Sequence, residues 1–373
     1  MCSLNEDEQN VMRSSAISRF PKSPWPRLTD ELKITAPHVR GAFIPITKEV
    51  DLSEQELGES VQLSQPVDPL DMKTLAGVFS SSLPLPAALD ENLEEALRHV
   101  LDNPGSLVRQ RLVLQMATAY GLHPDGARDL AVALEYFHTA SLLFDDLPCM
   151  DNALERRGVP CTHLVYGEAG AILAALALIN RAYSLMWRAV AGCPQYRQSQ
   201  ALAYIEHCLG VGGLLNGQSL DLHYFTLPHT RETTERVARG KTVSLIRLTL
   251  ALPAMLGSAS SREIHLIERI AKFWGLGYQI VDDLKDVHQS AAESGKTAAR
   301  DITLDRPNIA VVIGIRAATL RLTRFMDLGD SALRRLLQSR PELEFLCGLR
   351  ADLDGELSRV TQNACMLIAG GGQ

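Results

Sequence analysis

The sequence of 373 residues lacks the features of nucleic-acid-binding, secreted and membrane-spanning proteins. Lysine and arginine total 37 against 44 aspartates and glutamates, a net charge of −7, so no general affinity for nucleic acid or anionic membranes is expected. The N-terminus has no basic region followed by an apolar run, and no stretch of about 18 uninterrupted apolar residues occurs. The seven cysteines show neither paired zinc-type spacing nor a dense disulfide framework. We therefore expect a cytoplasmic protein with no nucleic-acid partner and no membrane span.

Strand-like alternation of apolar and polar residues is also scarce. Residues 1–69 are polar, punctuated by proline and without a sustained period, which predicts a flexible or disordered N-terminal extension; short ordered segments packed on the domain are the alternative. After Leu85, apolar residues recur every three to four positions, so residues 70–373 are predicted to form an all-α domain. The predicted helical segments are 93–101, 112–119, 130–144, 169–190, 201–222, 234–256 and 264–287.

A first acidic cluster, Asp145, Asp146 and Asp151, follows the apolar segment 130–144. His138, Ser141 and Asp145 are spaced three to four residues apart, so these side chains share one face of the predicted helix. Three carboxylates therefore gather at one helix end.

A second acidic cluster, Asp282, Asp283 and Asp286, lies within another apolar segment. Gln279 precedes Asp282 by three residues and Asp286 follows it by four, so these three side chains line one side of a helix. The apolar residues of the same segment are expected to pack elsewhere, and they are Ile270, Trp274, Gly277, Val281 and Leu284.

Like charges packed this closely repel one another, so each cluster is destabilising unless a cation lies among its carboxylates. Mg²⁺ prefers oxygen ligands, and proteins commonly hold it with one or two carboxylates together with substrate phosphates. Solvated helix ends are the alternative interpretation. Basic residues follow both clusters, however. Arg156 and Arg157 follow the first cluster, and Lys296 and Arg300 follow the second. A further basic residue, Lys241, lies on another segment. The pattern favours a diphosphate held between two metal-binding clusters.

The motifs occur in an order that resembles the trans-isoprenyl diphosphate synthase (polyprenyl synthetase) family over residues 93–308, and within it the bacterial-type geranylgeranyl and farnesyl diphosphate synthases. The matching stretches include EYFHTASLLFDDLPCMDNALERRGVPCTH, GVGGLLNGQSLDL, GKT, GYQIVDDLKDV and GKTAARD. The resemblance implies an antiparallel helical bundle around a central active-site cavity, a homodimer, and Mg²⁺-dependent condensation of an allylic diphosphate with isopentenyl diphosphate. This reaction needs no covalent nucleophile, because metal ions and basic side chains stabilise the leaving diphosphate.

The same resemblance implies a role for each matching position. The ligands of three Mg²⁺ ions would be Asp145, Asp146, Asp151, Asp282, Asp283 and Asp286. The contacts of the allylic diphosphate would be Arg156, Lys241 and Lys296, while Thr242 and Gln279 would lie near the reacting carbons and share the catalytic role of Lys241. The contacts of isopentenyl diphosphate would be Arg109, His138 and Arg157.

The sequence departs from the family where isopentenyl diphosphate would bind. The family motif GGKRxRP corresponds to PGSLVRQ at residues 104–110, so Ser106 replaces a lysine, Leu107 replaces an arginine and only Arg109 is retained. A hydroxyl cannot replace an ammonium that faces a diphosphate, because charge-assisted hydrogen bonds are roughly twice as strong as neutral ones. Further departures are Leu176, in place of an aspartate, and Arg306-Pro307-Asn308, in place of a lysine-containing stretch.

These departures leave three functions open. A synthase could compensate through Arg109, Arg111 and Arg157. A class I terpene synthase would act on an allylic diphosphate alone and would not need the second site. A non-catalytic regulatory subunit would have no physical need for the intact acidic motifs, so an enzyme is favoured, with a synthase as the first interpretation.

Bulk just before the first acidic motif sets product length in this family. Ala140 and Ser141 are small, and Pro148-Cys149 is a two-residue insertion in the motif, which together resemble the geranylgeranyl pattern. We expect geranylgeranyl diphosphate as the product, or as the substrate of a terpene synthase. Trp274 and Tyr278 are expected to be core residues rather than groups that stabilise a carbocation.

Overall fold

A computed structural model describes residues 71–292 and 306–355, with side chains described through residue 287 in the first range. The described residues belong to one unit of the chain. The predicted extension, residues 1–69, lies outside them and stays a prediction.

The described chain is almost entirely helical, which confirms the predicted all-α class. The helices are α1 (Met72–Ser81), α2 (Glu91–Leu101), α3 (Val108–Ala119), α4 (Pro124–Asp145), α5 (Thr162–Ala191), α6 (Gln195–Leu209), α7 (Leu214–Leu222), α8 (Arg231–Ala238), α9 (Ser244–Leu256), α10 (Ser261–Ala292), α11 (Ile309–Ile313) and α12 (Ile315–Leu337). A π turn spans Arg239–Val243, and 3₁₀ turns span Tyr224–Thr226 and Pro341–Glu344. Two short strands, β1 (Glu155–Arg156) and β2 (Val159–Pro160), form an antiparallel hairpin after α4.

Two apolar clusters hold the described helices together. The first is built mainly by α4, which packs on α3 and α5 and whose Leu130 and Leu134 are fully buried. The second lies between α9, α10 and α12, where Ile270 and Trp274 of the predicted apolar stripe are buried. Burial of these faces leaves the opposite side of α10, with Asp282 and Asp286, directed away from the core.

Local capping fixes where the helices begin. Before α10, Ser260 and Glu263 form a reciprocal capping box, in which Ser260 N donates to Glu263 Oε2 at 2.7 Å and Glu263 N donates to Ser260 Oγ at 3.3 Å. Before α4, Pro124 occupies the first helical turn, where its missing N–H is tolerated. The two helices that carry the acidic clusters thus start at defined residues.

The structure corrects three features of the predicted helices. The predicted segment 201–222 is interrupted between α6 and α7, where Gly210 adopts an extended conformation and ends α6. The predicted segment 234–256 is divided by the π turn. The helices α1, α11 and α12 were not predicted, although Asn308 caps α11 by accepting a hydrogen bond from Val311 N.

One helix of the described residues, α5, is long and apolar enough to cross a membrane by length and composition. Its buried side packs on α4 and contributes Leu178 and Leu185 to the first cluster. Its other side exposes Leu173, Leu176, Tyr183 and Trp187. Core helices pass this test as readily as membrane-spanning ones, so the absence of a membrane span stays a prediction.

Candidate active site

A cavity of about 420 Å³ lies among α3, α4, α7, α8, the π turn and α10. Its carboxylates come from both acidic clusters and from α7, and they are Asp145, Asp151, Asp221, Asp282, Asp283 and Asp286. Its apolar wall includes Leu142, Leu214, Leu215, Val237 and Leu245. One cavity thus joins a strongly acidic surface to an apolar surface, which suits a ligand with a charged head and a hydrocarbon tail.

Asp145 ends α4 and is held by a residue of α7. Gln218 donates from Nε2 to Asp145 Oδ1 at 2.7 Å. Burial raises the pKa of Asp145, the Asp151 and Asp221 carboxylates act in the same direction, and Lys241 and Arg156 act against them, so that the pKa is raised to about 6. Ionising this carboxyl is therefore costly, and a bound cation would favour the charged form.

Asp146 does not line this cavity. Its side chain is buried, and Arg156 of β1 donates from Nε to Asp146 Oδ1 at 3.0 Å. Asp146, Arg156 and Arg157 instead line a separate cavity of about 40 Å³. The predicted metal-binding role of Asp146 and the predicted diphosphate contact of Arg156 find no support here, because the two side chains bind each other.

The second acidic cluster also contains one carboxylate that is held by other groups of the protein, Asp283. Asp282 and Asp286 line the main cavity. Asp283 also reaches it but is buried, and its carboxylate accepts hydrogen bonds from Gln279 Nε2 at 3.0 Å and from Ile309 N at 2.7 Å. Asp283 therefore ties α10 to the start of α11, which gives it a structural role that competes with its predicted metal-binding one.

Lys241 lies in the π turn and reaches the cavity beside α7. Its Nζ donates to Asp221 Oδ2 at 2.7 Å. Burial acts against the charged ammonium, but the carboxylates of Asp221 and Asp145 outweigh it and raise the pKa of Lys241. A β-carbon on Gly240 would lie 2.6 Å from Cα of Gly217, so the π turn and α7 touch backbone to backbone. This close approach places Lys241 beside Asp221.

Thr242 and Gln279 form a fixed pair in the same cavity. Thr242 donates from Oγ1 to Gln279 Oε1 at 2.6 Å, and Gln279 donates in turn from Nε2 to Asp283. The two hydrogen bonds set the orientation of the Gln279 amide, which lies in the cavity wall. Its position near the reacting carbons stays a prediction.

Arg109 and His138 also line the main cavity. Burial lowers the pKa of Arg109, while Glu135, a buried carboxyl that accepts a hydrogen bond from Gln110 N at 3.1 Å, acts in the opposite direction. Burial and the positive charges of Arg109 and Arg157 hold the pKa of His138 well below its ordinary range. The His138 imidazole is therefore neutral and can donate or accept a hydrogen bond without charge.

Arg157 lies over the loop that departs from the family motif. It donates from Nη1 to the carbonyl oxygen of Asn103 at 2.9 Å. A β-carbon on Gly105, whose φ is +74°, would lie 2.3 Å from Arg157 Cζ. Only glycine leaves room for this guanidinium, which therefore occupies the surface next to Ser106.

The two predicted chain-length residues have different surroundings. Ser141 lines the cavity, and its Oγ donates to the carbonyl oxygen of His138 at 2.8 Å. Ala140 is fully buried in the first core cluster and does not line the cavity. The chain-length prediction thus applies to Ser141, whereas the same prediction for Ala140 lacks support from the structure.

The two aromatic residues of α10 also differ. Trp274 is buried and donates from Nε1 to Asp330 Oδ1 at 3.1 Å, as expected of a core residue. Tyr278 lines the cavity and is 40% exposed, so its assignment to the core was wrong.

Comparison with known proteins identifies the family. A model of the polyprenyl synthetase family matches residues 90–331, which is more than half of the chain. The chain belongs to the polyprenyl synthetase family. It is 33% identical over 285 residues to the chloroplastic geranylgeranyl pyrophosphate synthase of Capsicum annuum, covering 74% of this chain and 76% of that protein. It is also 33% identical over 279 residues to the large subunit 1 of a chloroplastic heterodimeric geranylgeranyl pyrophosphate synthase of Arabidopsis thaliana, covering 72% of this chain and 73% of that protein.

A solved structure agrees with this assignment. The geranyltransferase of Helicobacter pylori, complexed with magnesium and isoprenyl diphosphate, has a TM-score of 0.63 and 25% identity, over 81% of this chain and 99% of that chain. As a member of the polyprenyl synthetase family, the chain is an isoprenyl diphosphate synthase, a transferase with the all-α fold of solved isoprenoid synthases.

The cavity of this polyprenyl synthetase suits Mg²⁺, the metal in the complex of the Helicobacter pylori geranyltransferase. Within the described residues, no three carboxylate, imidazole or thiol groups converge closely enough to hold a metal ion unaided. Mg²⁺ does not need such a cage, because it keeps waters and binds one or two carboxylates together with phosphate oxygens. Asp145 and Asp151 on one side, with Asp282 and Asp286 on the other, supply carboxylates in one cavity.

Sequence reasoning missed four polar residues of the cavity, Gln218, Asp221, Thr234 and Arg306. The stretch GVGGLLNGQSLDL carries the first two and was matched to the family without a role for either. Arg306 was noted only as a departure. Lys296, predicted to contact the allylic diphosphate, lies outside the described residues and stays a prediction.

Proposed function

We propose that this synthase condenses an allylic diphosphate with isopentenyl diphosphate in a Mg²⁺-dependent reaction, with geranylgeranyl diphosphate as the product. The observation that carries the proposal is the single cavity shared by Asp145, Asp151, Asp282 and Asp286, the cations Lys241 and Arg109, and an apolar wall. The relatives from Capsicum and Arabidopsis, both named as geranylgeranyl pyrophosphate synthases, support the same substrate class.

The allylic diphosphate would bind between the two acidic motifs. Mg²⁺ ions, three by family resemblance, would stabilise the negative charge that develops on the departing diphosphate. The four cavity carboxylates, Asp145, Asp151, Asp282 and Asp286, would hold the metal. Lys241 keeps its positive charge here, because Asp221 and Asp145 raise its pKa, and it would add a charge-assisted hydrogen bond to the diphosphate.

The hydrocarbon part of the substrate would lie on the apolar wall, close to the Thr242–Gln279 pair. Leu142, Leu214 and Leu245 contribute the apolar side chains of this surface. The double bond of isopentenyl diphosphate would attack the allylic carbon, and the released diphosphate would accept the proton lost from the new chain. Ser141, which is small, leaves room for a longer chain beside α4.

The second diphosphate would bind at Arg109, His138 and Arg157. Arg109 and the neutral His138 line the cavity, and Arg157 covers Gly105 beside the exposed Ser106. The family has a positively charged lysine at the position of Ser106. Arg157 brings a guanidinium to the same surface. This arrangement supports use of isopentenyl diphosphate despite the altered motif.

A terpene synthase is the second candidate function. Ser106 favours it, because no ammonium stands at that position and Arg157 already donates to the carbonyl oxygen of Asn103. Such an enzyme would use the same metal site and apolar wall, and the substrate's own double bonds would attack the cation.

We also propose that the protein is a cytoplasmic homodimer. The exposed side of α5 carries Leu173, Leu176, Tyr183 and Trp187, with spacings of three, seven and four residues that place them along one helix face. A second copy of the chain would cover this apolar face. Light scattering coupled to gel filtration should give twice the monomer mass of 40.9 kDa, and a monomer would refute the dimer.

Product analysis tests the proposed function. The protein and Mg²⁺ are incubated with farnesyl diphosphate or geranylgeranyl diphosphate, each with and without isopentenyl diphosphate, and products are separated before and after phosphatase treatment. A geranylgeranyl product that requires both isopentenyl diphosphate and phosphatase supports the synthase. Hydrocarbon or alcohol released from farnesyl or geranylgeranyl diphosphate alone would support the terpene synthase, and no product in any arm would support a non-catalytic subunit.

A further inference from the structure

The first turn of α3 has no cap of its own. Leu107, the residue that precedes the helix, is apolar and fully buried, and its side chain accepts no hydrogen bond from the backbone. The first N–H groups of a helix have no partner within it and need an acceptor from elsewhere. Glu135 of α4 supplies one, because Gln110 N donates to Glu135 Oε2 at 3.1 Å. A carboxylate of another helix therefore caps α3, where the helix dipole also favours a negative charge.

A second contact holds the same turn. The Gln110 side chain is buried and donates from Nε2 to the carbonyl oxygen of Leu75 in α1 at 3.2 Å. Arg109 directly precedes Gln110, and its side chain lines the main cavity. Both contacts therefore fix the piece of backbone from which Arg109 projects.

Glu135 lies behind the cavity wall. The residue is 2% exposed and, within the described ranges, it lines neither the main cavity nor the 40 Å³ cavity beside Arg157. Burial raises the pKa of Glu135, while Arg109, the Gln110 N–H and Arg157 act in the opposite direction. The carboxylate thus lies within electrostatic range of the two arginines assigned to isopentenyl diphosphate.

Arg109 depends on the position of the backbone of α3. Its Nε is buried and has no hydrogen-bond partner in the described part of the chain. Ser106 and Leu107 bring no charge to the preceding loop, so that loop cannot replace a displaced Arg109. A displacement of about 1 Å can cost on the order of a hundredfold in rate. The position of the first turn of α3 therefore matters for binding of the second diphosphate.

We propose that Glu135 is a positioning residue for the second substrate. It caps the first turn of α3 and thereby holds the Arg109 guanidinium where the diphosphate group of isopentenyl diphosphate binds. Glu135 itself touches neither substrate. The inference rests on the proposed function, because it takes the second ligand to be isopentenyl diphosphate.

Hydrogen exchange tests the cap without any substrate. Glu135→Ala removes the acceptor, whereas Glu135→Gln keeps a side-chain oxygen at the same distance from the backbone. The amides of residues 108–111 should exchange about three- to tenfold faster in Glu135→Ala, because a lost helix cap weakens the first turn. Glu135→Gln should exchange like the wild type. Unchanged exchange in Glu135→Ala would overturn the cap.

Steady-state kinetics tests the positioning role. Glu135→Ala should raise the KM for isopentenyl diphosphate about tenfold and the KM for the allylic substrate less than about twofold, because Arg109 serves only the second diphosphate. Glu135→Gln should return the KM for isopentenyl diphosphate to within about threefold of the wild-type value. Glu135→Asp keeps the charge but withdraws the oxygen from Gln110 N, so it should also raise this KM. It provides the test if Glu135→Ala does not fold.

Glu263→Ala is the matched control. Glu263 is also a buried carboxylate that caps a helix, because Ser260 N donates to Glu263 Oε2 at 2.7 Å at the start of α10. Among the described residues, Glu263 does not line the main cavity. Its loss should lower the free energy of unfolding without a selective rise in either KM. A selective rise in Glu263→Ala, or equal rises of both KM values in Glu135→Ala, would overturn the positioning role.

Calorimetric titration with isopentenyl diphosphate separates failure of this inference from failure of the proposed function. A wild type that binds isopentenyl diphosphate but forms no prenyl product would contradict the proposed function, and weaker binding by Glu135→Ala than by Glu135→Gln would still support the positioning role. Equal binding by the two variants would overturn that role. A wild type that does not bind isopentenyl diphosphate would overturn both.

Discussion

A β-carbon added to Gly217 would lie 2.2 Å from the backbone nitrogen of Lys241. The helix α7 and the π turn therefore meet without intervening side chains, and this contact brings Gln218 and Asp221 of α7 to Asp145 and Lys241. The active-site geometry thus depends on a glycine that makes no contact with substrate in the proposed function.

Gly217→Ala should destabilise the protein and weaken diphosphate binding. The new β-carbon overlaps backbone atoms, which cannot move aside cheaply, so a loss of about 1–3 kcal/mol in the free energy of unfolding is expected. Gly77→Ala is the matched control, because Gly77 is an exposed helical glycine of α1 with open space around its β-position. That substitution should stabilise by up to about 1 kcal/mol. Urea unfolding and pyrophosphate calorimetry measure both effects, and equal behaviour of the two variants would disprove the close contact.

Gly105→Ala should raise the KM for isopentenyl diphosphate more than the KM for the allylic substrate. The added methyl group displaces Arg157, and loss of a charge-assisted contact corresponds to about a tenfold effect. Gly121→Ala is the control, because Gly121 also has a positive φ, +67°, but nothing within 4 Å of its β-position. Backbone strain is common to both variants, so a selective effect in Gly105→Ala reports on Arg157. Equal changes in the two KM values would contradict the proposed binding of isopentenyl diphosphate by Arg157.

Ser141→Phe and Ala140→Phe should separate product length from stability. A phenylalanine at Ser141 enters the cavity, so the main product should become shorter than geranylgeranyl diphosphate. A phenylalanine at Ala140 enters the packed core and should cost about 1–3 kcal/mol in the free energy of unfolding. Product chromatography and urea unfolding measure the two outcomes. A shorter product from Ala140→Phe with unchanged stability would mean that Ala140 lines the substrate pocket after all.

His138→Gln should change how stability depends on pH. Burial and nearby arginines lower the pKa of His138 in the folded state, so the neutral imidazole favours folding above the unfolded pKa of about 6.5. As pH falls below that value, the unfolded state takes up the proton first and the wild type loses stability. The variant lacks this group, so its free energy of unfolding should fall less between about pH 7.5 and about pH 5.5. Parallel curves in urea titrations would mean that His138 is not buried as described.

The sequence predicts the parts of this structure that depend on helical periodicity. His138, Ser141 and Asp145 share the cavity face of α4, and Gln279, Asp282 and Asp286 share that of α10, because spacings of three and four residues fix a helix face. Periodicity cannot show which carboxylates are held by other groups of the protein, such as an arginine side chain or a backbone N–H. The Asp146–Arg156 pair depends on the β1–β2 hairpin, and the bond from Ile309 N to Asp283 depends on α11, which is distant in sequence.

Other features follow from contacts between segments that periodicity does not reveal. The close approach of the π turn to α7 requires glycine at positions 217 and 240, although these residues lie in separate motifs. Arg306 reaches Asp151 across more than 150 positions of sequence. Tyr278 follows the buried Trp274 by four residues and therefore lies on a similar side of α10, yet it lines the cavity, so helical spacing alone could not separate the two side chains.

The most direct measurement of the central claim is Mg²⁺-dependent incorporation of labelled isopentenyl diphosphate into a prenyl diphosphate, by the wild type and by Asp145→Asn with Asp282→Asn. We expect incorporation by the wild type only when Mg²⁺ and an allylic diphosphate are both present, with a loss of about a hundredfold or more in the double variant. Terpene release from the allylic substrate alone, or incorporation that survives in the double variant, would contradict it.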